Sequence, residues 1–207
     1  MGRPRGFDEG RALDAAMRVF WENGYEATST QDLCAATGLG RSSIYNTFTS
    51  KHELFVRALG HYLDTMSAAQ AAVLEDAARP AVERVRALFA SVIDGEYARP
   101  GRGRSIGCLS VNTTVELAGR DARVAEVLDR DLDRRLDGLR EVLRAGQRAG
   151  EVTTERDADG LARFLNAVIG GMRVSAQGGA GRDALEAIAA TAVDALLPPV
   201  GARRREA

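Results

Sequence analysis

The chain has 207 residues, 45% of them hydrophobic, 28% charged and 5% aromatic. That length fits one large domain or two small ones with a sizeable core, and the balance excludes a largely disordered chain. Formal net charge is -1, so the average charge points to no polyanionic partner, although a local basic surface can still dock on phosphates.

No run approaches the ~20 apolar residues of a membrane helix. Met1-Gly2-Arg3-Pro4-Arg5 has no apolar segment after its charges, unlike a secretory leader. Cys34 and Cys108 are too few for a disulfide framework or a structural zinc site, so a reducing cytoplasm is expected.

Apolar residues recur at three and four, and sustained alternation is missing, which predicts an all-α fold of about nine helices. The first helix carries the stripe Leu13, Ala16, Met17, Phe20 and Trp21 and ends at Gly24. A short second helix spans 30–37, with Ser29 as N-cap and Asp32 at the capping-box position. Gly38 breaks it, and a third helix runs over 41–48. Ser50 caps a fourth that continues into the low 70s.

Pro80 opens a fifth helix, followed by an expected loop over 94–105 and a sixth helix over 106–118. Asp121 caps a long seventh helix that Gly150 stops. Its Asp129, Arg130, Asp131, Asp133, Arg134 and Arg135 read as solvated surface charge. Asp157 caps an eighth, the glycines at 178–181 turn the chain, and a ninth spans 184–197. The division expected is a three-helix domain at 1–53, a larger helical domain at 54–200, and a frayed tail at 201–207.

The chemistry concentrates in residues 25–55. Two short helices joined by Gly38-Leu39-Gly40 form a helix-turn-helix. Leu33, Ala36, Leu39, Ile44 and Phe48 are spaced to lock it against the first helix. The third helix then presents Arg41, Ser42, Ser43, Tyr45, Asn46 and Thr47, whose hydroxyls and amide suit base edges and phosphates in a major groove. Lys51 at the start of the fourth helix, and Thr28, Ser29 and Thr30 at the start of the second, are placed for phosphates.

These segments, VFWENGYEATS and DLCAATGLGRSSIYNTFTSKHEL, resemble the TetR family of bacterial transcriptional regulators. Phe20, Gly24, Tyr25, Thr28, Gly38, Tyr45, Phe48, Ser50 and Lys51 meet the family pattern, over about residues 7–60. Gly40 departs from it where a serine cap is common, and Ser42 and Thr47 replace a frequent glycine and histidine. The resemblance implies a repressor that binds a double-stranded DNA operator and is released by a small-molecule or electrophile effector.

A homodimer follows because one recognition helix spans only a few base pairs. The resemblance implies that the last two helices pair with their copies, and Phe164, Val168, Met172, Leu185, Ile188 and Leu196 divide between core and that interface. It also implies an effector pocket, for which Met66, Phe89, Ile93, Tyr97, Cys108, Asn112 and Glu116 are the lining residues expected. Cys108 follows an Arg-rich loop with Arg102 and Arg104, a setting that favours a thiolate, against the commoner role of an inert buried cysteine. Cys34 reads as core.

No catalytic constellation, metal cluster or cofactor motif is expected. His52 and His61 lie on different faces of one helix, and no G-x-S-x-G or phosphate-binding loop is present. The competing reading is an all-helical small-molecule-binding protein, or a dimeric scaffold, without DNA affinity.

Overall fold

The computed structural model describes residues 8–98 and 105–199. Arg3, Arg5, Arg102, Arg104 and the tail 201–207 lie outside the described residues. Among the described residues there are nine helices and no strand: α1 (Glu9–Asn23), α2 (Thr30–Thr37), α3 (Arg41–Phe48), α4 (Lys51–Leu74), α5 (Ala81–Tyr97), α6 (Leu109–Leu117), α7 (Ala122–Arg148), α8 (Ala158–Gln177) and α9 (Arg182–Asp194).

The helix ends follow local chemistry. Ser29 and Asp32 form the reciprocal capping box of α2, which satisfies two otherwise orphaned N–H groups. Asp121 Oδ1 accepts the N–H groups of Arg123 and Val124 at the head of α7, and Asp157 accepts that of Gly160 in α8.

Three boundaries differ from the sequence pattern. Helix α5 runs on to Tyr97 instead of giving way to a loop at 94. Its last turn finds partners: Glu96 is buried against Arg173, and Tyr97 OH donates to the Ala180 carbonyl at 2.7 Å. Helix α6 starts only at Leu109, because Gly107 has φ +73° and Cys108 is extended. Helix α9 ends at Asp194, and the turn beyond it lets the Leu196 carbonyl accept the Thr153 N–H at 2.8 Å.

Two compact units result. The first comprises residues up to Met66 together with Cys108–Asp129, and so extends past residue 53 to include α6 and the head of α7. Its core is aromatic: Phe20, Phe48 and Phe55 are essentially inaccessible beside Leu33, Ile44 and Leu54. Phe20 meets Phe55 edge-on at 5.0 Å, and Tyr25 tilts against Phe55 at 4.9 Å. Burying each such side chain contributes roughly 1.5–3 kcal/mol. Cys34 is only half-buried against this cluster, so the expectation that it is plain core does not hold.

The second unit comprises Ser67–Gly107 and Arg130–Ala207, its core drawn from α5, α7, α8 and α9. Leu143, Leu165, Met172, Leu185 and Leu196 are each 0% exposed within it. Met172, Leu185 and Leu196 therefore belong to the chain's own core and are not available to an interface. Asp131 also departs from expectation. It is buried, accepts from Ser67 Oγ at 2.8 Å, and pairs with Arg135 at 2.9 Å. A carboxylate so placed needs those partners to offset its lost hydration.

Candidate nucleic-acid interface

Helix α3 is only eight residues long, and its two apolar residues decide what the rest can do. Ile44 and Phe48 are buried at 1% and 0% exposure. Four residues apart, they lie on one side of the helix and turn Arg41, Ser42, Tyr45 and Asn46 to solvent, with Ser43 and Thr47 half-buried at the flanks. The turn from α2 uses Gly38 in the left-handed region at φ +69°, where a side chain would be strained. Gly40 is the N-cap of α3 and brings no side chain to cap it. The first N–H groups of α3 thus receive no side-chain acceptor from that cap.

Tyr45 is organised before any ligand arrives. Its hydroxyl lies 3.2 Å from Thr30 Oγ1 on α2, and the Arg41 guanidinium sits 5.7 Å from its ring centroid. Hydrogen bonding with Thr30, and then the Arg41 cation, hold the phenol below its ordinary pKa. A hydroxyl so polarised is a good donor to a phosphate oxygen.

Lys51 is half-buried at the start of α4. Its ammonium lies 4.5 Å over the Tyr25 ring and donates to the Glu26 carbonyl at 3.4 Å. The ring and the carbonyl aim the cation, which saves side-chain entropy on docking. Tyr25 is pushed above the usual phenol range, by burial first and then by Glu26 and Asp121. Ser50 caps α4 by accepting the Glu53 N–H at 3.0 Å.

Thr28 is a correction. It is 1% exposed, and its Oγ1 donates to the Gly24 carbonyl at 2.6 Å, so it shapes the α1–α2 turn instead of facing DNA. Ser29 stays at the surface, though its hydroxyl is committed to Asp32. Sequence reasoning missed Thr49, the one non-glycine with positive φ among the described residues, at +64°. This β-branched outlier turns the chain between α3 and α4, where the Ser50 N–H reaches the Phe48 carbonyl at 2.6 Å.

The seven residues expected around an effector fall in two groups. Met66, Cys108, Asn112 and Glu116 belong to the first unit, and Phe89, Ile93 and Tyr97 to the second. Phe89 and Ile93 are buried core that also lines an open groove of about 220 Å³ with Arg86, Arg182, Ala189 and Val193. Cys108 is buried, its Sγ 3.3 Å from Tyr62 OH and 3.1 Å from Ser110 Oγ. Glu116 departs from a pocket-lining role, because both its carboxylate oxygens accept backbone N–H groups of the α1–α2 turn.

Of the interface candidates, Phe164 and Ile188 are exposed at 40% and 37%, and Val168 is half-buried. No group of three or more His, Cys, Asp or Glu able to hold a metal ion occurs among the described residues, and none of their helices is long and apolar enough to cross a membrane.

The family models match this architecture in both parts. Residues 12–58 match the bacterial regulatory proteins of the tetR family, and residues 81–193 match the tetracyclin repressor-like C-terminal domain. The chain belongs to the TetR family of transcriptional regulators.

Among curated relatives of this TetR-family chain, the HTH-type transcriptional repressor ComR of Escherichia coli K12 is 34% identical over 190 residues, covering 92% of this chain and 89% of ComR. The repressor DhaR of Mycobacterium sp. GP1 is 29% identical over 189 residues, 90% of each chain. Among solved structures, a cysteine mutant of the TetR family regulator CifR, complexed with 26-base-pair operator DNA, is 31% identical. It superposes with a TM-score of 0.81, over 94% of this chain and 100% of that one. The reduced form of NemR from E. coli shares the fold at TM-score 0.82, with 17% identity over 92% of this chain and 97% of that chain.

Proposed function

We propose that this regulator is a homodimeric repressor that sets α3 into the major groove of a palindromic operator and leaves it when a small-molecule or electrophile effector acts. The observation that carries the reading is the solvent face of α3. Arg41, Ser42, Tyr45 and Asn46 stand out together while Ile44 and Phe48 anchor the helix from behind. Arg41, Ser42, Ser43, Asn46 and Thr47 read bases or phosphates there, and Tyr45, Lys51, Ser29 and Thr30 fix the register on the backbone. That CifR, 31% identical, is complexed with operator DNA supports a DNA-binding role for this chain.

Two copies are needed to place two such helices about 34–36 Å apart along the duplex. Phe164, Val168 and Val174 on α8, with Ile188 on α9, form the apolar surface for that pairing. Phe89, Ile93, Tyr97, Met66, Cys108 and Asn112 are the residues assigned to the effector response. Cys108 is the group assigned to the electrophile; it is buried beside the Tyr62 and Ser110 hydroxyls, so alkylation requires α6 to open first. The protein acts in the cytoplasm and carries out no catalysis.

The test is fluorescence anisotropy with a duplex carrying the DNA upstream of this chain's own gene. Binding should weaken steeply with salt, as phosphate contacts require, and Tyr45→Ala should weaken it about tenfold, the size of one lost charge-assisted contact. A dimer that binds small molecules yet ignores DNA at low ionic strength would establish the alternative, a helical binding protein. Undiminished DNA binding by protein alkylated at Cys108 would remove the electrophile arm alone.

A further inference from the structure

Helix α6 is tied by one side chain to the turn that precedes the reading helices. Glu116, in its last turn, accepts the Tyr25 N–H at 3.0 Å through Oε2 and the Glu26 N–H at 2.9 Å through Oε1. A carboxylate that takes two successive backbone N–H groups makes charge-assisted bonds and fixes the plane of both peptides. Gly24 makes the approach feasible. Its φ is +81°, and a Cβ there would lie 3.1 Å from Glu116 Oε2.

The clamped turn carries the parts of the interface that α3 does not supply. The Tyr25 ring lies beneath the Lys51 ammonium, and the Glu26 carbonyl accepts from it. The Gly24 carbonyl holds Thr28, and the next residue, Ser29, is the N-cap of α2. Helix α2 in turn carries Thr30, the partner of Tyr45. At the opposite end of α6, Cys108 touches Tyr62, whose ring meets Trp21 of α1 edge-on at 4.9 Å. All of these residues lie in the first compact unit. A helix of nine residues moves as a rod, so Cys108 and Glu116, about 12 Å apart along its axis, shift together.

We propose that Glu116 is the positioning residue through which α6 sets the reading head. With its carboxylate seated, the turn, Lys51 and the start of α2 are held for DNA. A displacement of α6 by about 1 Å takes both bonds beyond hydrogen-bonding distance and frees them. The inference rests on the DNA-binding function argued above and adds the group that transmits the signal.

The experiment uses the full-length protein and Glu116→Gln. The amide keeps the shape but offers one acceptor oxygen, and it turns an NH2 group toward the second N–H. Hydrogen exchange at the Tyr25 and Glu26 amides should accelerate about tenfold or more, while core amides of α8 and α9 stay unchanged. Affinity for the upstream duplex should fall about tenfold. Lys51→Ala should cost less affinity in the Glu116→Gln background than in the wild type, since the two residues act in series.

Unchanged exchange at Tyr25 and Glu26 would overturn the clamp, and so would accelerated exchange with wild-type affinity. If Glu116→Gln loses its cooperative thermal transition, Glu116→Asp, shorter by one methylene, decides by the same readouts. Wild-type protein that fails to bind the duplex at low salt overturns the DNA-reading assignment and the clamp's role with it. Wild-type binding beside undiminished Glu116→Gln binding overturns the clamp alone.

Discussion

Long-range polar contacts frame the unit that carries α1 to α3. His52 meets Asp121 at 2.5 Å, Arg123 reaches Glu53, His61 meets Asp14, Arg57 pairs with Glu9, and Glu116 holds the α1–α2 turn. The unit built on α5, α7, α8 and α9 has part-exposed ties of its own, Arg140 with Asp159 and Arg182 with Asp94, but it also seals one ion pair inside, Glu96 with Arg173 at 3.4 Å. The side-chain pairs of the first unit, Glu116 aside, are part-exposed and individually worth about 0–1 kcal/mol. They position the reading helices more than they stabilise them, and they can be exchanged at small cost. The buried pair of the second unit cannot be opened cheaply, because either charge alone would be left without hydration.

Matched deletions on the two sides are the severest way to break this contrast. Arg173→Ala should lower unfolding free energy by about 3–5 kcal/mol, leaving the Glu96 charge buried with only the Ser105 hydroxyl to face it. Arg123→Ala, which opens the exposed pair with Glu53, should cost under about 1 kcal/mol. Denaturant melts of both variants decide it, and equal losses would end the distinction.

Ser29→Ala should cost about 1 kcal/mol in the same melts, the ordinary worth of an N-cap. It should also weaken operator binding, because the capped turn carries Thr30 toward Tyr45. Thr49→Gly should raise stability by somewhat under about 1 kcal/mol. Relief of a strained φ, of order 1–3 kcal/mol, outweighs the extra backbone entropy of glycine, about 0.5–1 kcal/mol. A loss of stability would show that the Thr49 side chain makes contacts that offset its backbone strain.

The smallest effect is on pH. The Asp121 carboxyl is held below its ordinary value, chiefly by the Val124 N–H and then by His52. A depressed folded pKa contributes stability above the unfolded value of about 3.9 and loses it as pH falls through the folded value. Thermal midpoints should therefore drop below about pH 4, and Asp121→Asn should flatten that drop while its side-chain oxygen still caps α7.

Much of this was legible in residues close together in sequence. The capping box of Ser29 and Asp32, the caps at Asp121 and Asp157, and the left-handed Gly38 act over three or four residues, and each bounds a helix where the pattern places it. The outward set on α3 was legible for the same reason, since Ile44 and Phe48 fix the buried side of so short a helix. Two of the missed features join distant residues: Asp131 is drawn inward by Ser67, and Glu116 by peptides 90 and 91 residues earlier. Thr28 is drawn inward by the carbonyl of Gly24, only four residues away, but that bond depends on the turn at Gly24, which helical periodicity does not describe.

The sequence by itself determined an all-helical chain with a polar reading helix, because helical periodicity, caps and glycine turns are local and carry their own chemistry. Tertiary structure alone decided which apolar residues of α8 and α9 stay inside. Met172, Leu185 and Leu196 share their spacing with Phe164 and Ile188, and only the packing of neighbouring helices separates the two sets. It also decided that Glu116 serves a turn of the reading unit: a carboxylate finds its N–H partners through space, where sequence periodicity carries no information.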